Sequence, residues 1–72
     1  MTREKMIELA KAYIAAEVVF ADHSKARGID ESVQIMISRE EYQNIYLPIL
    51  RELYQKENRN KTQKIIESID NQ

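Results

Sequence analysis

A chain of 72 residues with one Gly, one Pro, no Cys and no Trp makes a single small domain at most, and so few Gly and Pro argue against a turn-rich all-β fold. Hydrophobic residues make up 43% and charged ones 32%, which excludes a chain that stays unfolded for want of apolar surface. Eleven Lys and Arg against twelve Asp and Glu leave a formal net charge of −1, so no global field draws the protein toward nucleic acid or anionic lipid.

The first predicted element is a helix over residues 3–27. Thr2 stands at its N-cap, Lys25 and Arg27 place cations in its last turn, and Gly28 is free to take a left-handed C′ conformation. Neither Gly nor Pro interrupts the stretch, which makes a rod of about 37 Å. Glu4, Glu8, Lys11, Asp22 and Lys25 fall on one narrow stripe. Met6, Leu9, Ala10, Tyr13, Ile14, Phe20 and Ala21 form an apolar face, which Ala12, Ala16 and Val19 carry around the side. An apolar arc of roughly two thirds of the circumference is wider than one neighbour requires, so this helix is expected to touch more than one partner helix.

Residues 29–38 admit two readings. Val33, Ile35 and Ile37 alternate with Gln34 and Met36 as in a strand, while Asp30 is suited to cap a short helix or turn. The chain offers no second strand, so a strand here would pair with the same segment of another copy. Ser38 and Glu41 form a capping box for a second helix over residues 39–57, whose apolar face is Tyr42, Ile45, Tyr46, Ile49, Leu50 and Leu53. Pro48 removes a bond to the Asn44 carbonyl on the polar side and predicts a bend rather than an end. Asn60 to Gln63 is a second capping signature, ahead of a short helix over residues 61–70 with the stripe Thr62, Ile65, Ile66 and Ile69. Carried straight on, that stripe points about 170° from the Tyr42 to Leu53 face, which predicts a turn near residues 57–60 or one long helix serving two partners.

The fold expected is therefore all-α: a long N-terminal helix packed against a Pro-kinked second helix and a short C-terminal helix, completed by oligomerisation. Oligomerisation enters because a chain this short buries only about 60% of its unfolded surface, and one such core supplies about 3 to 5 kcal/mol. Without Cys there is no disulfide, and His23 is the only imidazole for a zinc site. The longest apolar run, Val18 to Ala21, is far short of the roughly 20 residues that span a bilayer, and no signal-peptide core follows Lys5. A reducing, cytoplasmic setting fits the lack of Cys.

Asp22, His23 and Ser24 are triad residue types, yet neighbours on a helix point about 100° apart and cannot act as orienter, base and nucleophile. No catalytic residue, metal ligand or cofactor is assigned. Glu17 is flanked at helical spacing by Tyr13, Ile14, Phe20 and Ala21, an apolar setting that disfavours a carboxylate unless it is paired or reaches the rim. Its partner is either a Lys, Arg or Tyr hydroxyl of the same chain, or a cation or tyrosine from a second subunit that fixes register. Tyr13, Tyr42 and Tyr46 fall on core faces with their hydroxyls at the edge. Leu47 and Tyr54 lie seven residues apart on the opposite face of the second helix, among Gln43, Arg51 and Asn58, and resemble the anchors of an interface. The candidate interface is Leu9, Ala12, Ala16, Glu17, Val19, Leu47, Arg51 and Tyr54.

The leading functional expectation is a self-associating protein-protein interaction module, an adaptor, inhibitor or regulator. The alternative is a DNA-binding regulator. A strand at Val33 to Ile37, a helix from Arg39 and a second short helix follow the element order of ribbon-helix-helix repressors, to which the chain is coarsely similar. In that reading Gln34, Arg51, Lys56, Arg59, Lys61 and Lys64 face nucleic acid. The second element is too long, however, it contains Pro48, and the outward residues Ser32, Gln34 and Met36 include no cation, so the family is not assigned. The locally basic stretch 51–64 is also partly neutralised by Glu52 and Glu57. A third expectation is an oligomer that holds a nucleotide through Lys25, Arg27 or the basic stretch.

Overall fold

The computed structural model describes the backbone of residues 1–70 and the side chains of residues 1–59. Thr2 begins the first helix as expected, its Oγ1 accepting the Lys5 N–H at 3.2 Å. Helix α1 runs Arg3–Ile14 and continues into a π-helical turn, Ala15–Val19. There it stops. The Phe20 N–H donates to the Ala15 carbonyl at 2.9 Å and the Asp22 N–H to the Ala16 carbonyl at 2.6 Å, while Ala21 turns to a φ of 54°. Asp22 then opens helix α2, His23–Met36, by accepting the Lys25 N–H at 3.0 Å.

The single helix over residues 3–27 is thus corrected to two helices joined by a tight reversal. No Gly or Pro announces it. The β-branched pair Val18 and Val19, weak in helices, precedes a residue type that prefers to cap. Lys25, Arg27 and Gly28 belong to α2 rather than to the end of α1, and the Gly28 carbonyl accepts the Ser32 hydroxyl at 2.9 Å inside the helix. Residues 29–36 are helical as well, so the strand reading falls, and no strand occurs among the described residues. Val33 is fully buried and Ile35 is 85% exposed, whereas a strand would set them on one face.

Ile37 and Ser38 are extended and form the short link that remains of the predicted linker. The capping box holds: the Glu41 N–H donates to Ser38 Oγ at 3.1 Å, and the Ser38 N–H donates to Glu41 Oε1 at 3.4 Å. Helix α3 comprises Arg39–Glu41, a π-helical turn Tyr42–Tyr46, and Leu47–Asp70. The turn closes with the Leu47 N–H on the Tyr42 carbonyl, so its extra residue falls immediately before Pro48, where the next N–H is missing. The helix then continues. No turn forms at residues 57–60, and the predicted separate helix over 61–70 is the end of α3, as the one-long-helix reading had it. The stripe Thr62, Ile65, Ile66 and Ile69 lies outside the residues with described side chains. The longest helix is accordingly the C-terminal one. At about 48 Å for residues 39–70, it matches the 49 Å length of the molecule.

All three helices feed one core of Met6, Ala10, Val33, Ile37, Tyr46 and Ile49, with Ile7, Leu9, Ile29, Tyr42, Leu50 and Leu53 packed around it. Helix α1 touches both α2 and α3.

An Ala at φ 54° carries a left-handed penalty that Gly does not. Ala21→Gly is therefore expected to raise stability by about 1 kcal/mol, a rise in Tm of about 4 to 8 °C by thermal circular dichroism, and Ala21→Val to lower it. A lower Tm for the glycine variant would contradict the turn.

Candidate functional site

Tyr13 and Glu17, one helical turn apart across the start of the π turn, stand between two clefts. Toward α2 the walls add His23, Ser24, Arg27 and Asp30 around a cavity of about 420 Å³. Toward α3 they add Leu47, Leu50, Arg51, Tyr54 and Gln55 around about 460 Å³. The first cleft is polar and the second has a leucine floor.

The tyrosines and carboxylates are matched to each other. Hydrogen bonding to Glu17, and then burial, push Tyr13 up to about 12. Burial, and then the bond from its own hydroxyl to Asp30 Oδ1 at 2.6 Å, push Tyr42 up to about 12. Asp30 Oδ2 accepts the Gln34 side-chain N–H at 2.8 Å, so both its oxygens are engaged. Tyr46, 0% exposed, is raised to about 12 by burial and then by the Asp30 charge, and its hydroxyl finds no hydrogen-bond partner among the described residues. The Tyr42 and Tyr46 rings stack with centroids 5.5 Å apart. Glu17 Oε1 lies 3.8 Å from Nδ1 of the exposed His23, a loose contact that contributes little.

Of the candidate interface residues, Glu17, Leu47, Arg51 and Tyr54 line the cleft between α1 and α3 together. Leu47 and Tyr54 border the cleft toward α1 rather than an opposite face, because at about 100° per residue they flank Leu50 by about 60° and about 40° around α3. Ala16 is 1% exposed and is used within the chain, while Leu9 is half-buried beside the core. Ala12 is exposed, and Val19, 57% exposed, lines a smaller hollow with Lys11, Ile14, Leu53 and Lys56.

Of the nucleic-acid set, Gln34 stands on α2 and Arg51, Lys56 and Arg59 stand on α3. Gln34 is tied to Asp30 on a helix, and Lys56 and Arg59 share a shallow hollow with Glu52 and Gln55. Lys61 and Lys64 lie outside the described side chains. Asp22, His23 and Ser24 are confined to the start of α2, with Asp22 occupied as its cap. Arg27 shares its cleft with Glu17 and Asp30, whose charges oppose a nucleotide phosphate. Among the described residues no three His, Asp or Glu gather closely enough for a metal ion. None of their helices is long and apolar enough to cross a membrane. Sequence reasoning missed Asp30 as the partner of Tyr42; its spacing of four from Gln34 was the available signal.

Raised tyrosine values mean that the folded state holds these protons more tightly than the unfolded one, at an ordinary value of 10.0. Their contribution to stability is present below pH 10 and is lost as pH rises toward about 12. Tyrosinate absorbance for Tyr13, Tyr42 and Tyr46 is expected to appear only toward pH 12, together with loss of helix; full ionisation near pH 10 in a folded chain would contradict it. Tyr42→Phe is expected to lower stability by about 1 kcal/mol in urea unfolding, through the lost bond to Asp30.

Compared with known proteins, the chain matches no protein family, no curated protein and no solved structure.

Proposed function

We propose that this chain is a small, non-enzymatic helical module for protein-protein interaction, which self-associates in the cytoplasm and acts as an adaptor, inhibitor or regulator by occupying a macromolecular partner's surface. The observation that carries this reading is the cleft between α1 and α3, where Leu47, Leu50 and Tyr54 stay half-buried and Arg51 stands exposed beside them. Tyr and Arg over an apolar floor are the side chains that dominate interface energies. Phe20, 68% exposed, and Ile35, 85% exposed, add large apolar groups that the core leaves outside.

Binding rather than proton transfer is supported by the way the cleft carboxylates are used. Asp30 is saturated by Tyr42 and Gln34, and Glu17 is held by Tyr13, whose own proton is kept to about 12. A general base needs a free carboxylate or imidazole poised near neutral pH and positioned against a reacting group.

Leu47→Asp combined with Tyr54→Ala is expected to keep the helical spectrum and lose the assembled state, read as a fall in mass by sedimentation. A folded double variant with unaltered mass and partner binding would contradict the proposal.

A further inference from the structure

The cleft between α1 and α3 carries one charge of each sign on opposite walls. Glu17 belongs to α1 and Arg51 to α3, with Leu47, Leu50 and Tyr54 between them. The two charges do not pair with each other. Among the described residues Glu17 has only the loose contact to His23 as an ion pair, and Arg51 has none. Such a surface is complementary to itself. Turned about a two-fold axis and set against its own copy, the acid of one molecule faces the base of the other twice over, the arrangement that an isologous dimer requires.

The geometry points to a second copy of this chain as the occupant of the cleft, seated isologously so that Glu17 of each molecule pairs with Arg51 of the other across an apolar centre of Leu47, Leu50 and Tyr54. This inference rests on the self-association part of the proposed function and adds the partner and the pairing. Rim charges of this kind set partner choice and register more than raw affinity, so the dimer is expected to weaken as salt is raised.

The test uses the full chain and two single charge reversals, Glu17→Arg and Arg51→Glu, with mass measured by sedimentation at matched concentrations. Wild type is expected to be a dimer. Each reversal, folded by circular dichroism, sets like charges against each other twice and is expected to raise the dissociation constant at least tenfold. An equimolar mixture of the two variants is expected to recover the dimer as a heterodimer, because the arginine introduced in one variant then meets the glutamate introduced in the other, while the native pair forms at the second contact. The doubly reversed chain is expected to recover it alone. A pair confined within one chain cannot be rescued by mixing. If either reversal unfolds the protein, Glu17→Gln and Arg51→Gln replace them, each expected to weaken the dimer several-fold. A dimeric wild type indifferent to both substitutions, or a mixture that stays monomeric, overturns the pairing and leaves self-association standing. A wild type that is monomeric at hundreds of micromolar overturns both.

Discussion

The reversal at Phe20 to Asp22 governs the architecture because it places the two halves of an apolar stretch side by side. In an unbroken helix Ala10 and Val33 would lie about 34 Å apart; here they belong to the same core, closed on the third side by Tyr46 and Ile49 of α3. The reversal combines a π turn, which ends the helix one residue wide, with an alanine in the left-handed region and an aspartate that caps the next helix. Each part is local and modest in energy. Together they convert a rod that no small chain could cover into a hairpin with a shared seam.

One tyrosine-carboxylate contact ties that hairpin to α3, and another lies within α1. Asp30 on α2 holds Tyr42 on α3, and Tyr13 holds Glu17 on the far edge of α1. Two potentially costly carboxylates therefore become fixed features of the surface, with neutral phenols as partners rather than cations. This choice leaves Arg51 without an intramolecular claim among the described residues and leaves the negative charge on Glu17 facing the cleft. The functional reading as a self-complementary interaction surface grows from that pairing pattern.

Much of the local chemistry was legible in the sequence. Thr2 and the Ser38 to Glu41 box act through bonds between near neighbours, so residue type and spacing are enough to place them. The helix also continues past Pro48 as its apolar face requires. The reversal was hidden, since Gly and Pro are the usual marks and here Ala21 adopts the turn conformation instead. The two π turns were hidden too, because a helix that widens by one residue leaves no compositional trace yet rotates all that follows. Leu47 and Tyr54, assigned to an outer face, stand in the cleft with Glu17 because each lies within about 60° of Leu50 around α3. Ala16 falls inside the chain because the apolar arc of a continuous rod was spread over surfaces that two helices share.

Methyl nuclear Overhauser contacts between Met6 or Ala10 of α1 and Val33 or Ile37 of α2 test the hairpin most directly. The fold described here predicts strong cross-peaks between these groups, with sequential helical connectivities interrupted at Phe20 to Asp22. Absence of the cross-peaks, with helical connectivities running unbroken from Arg3 to Arg27, would contradict it.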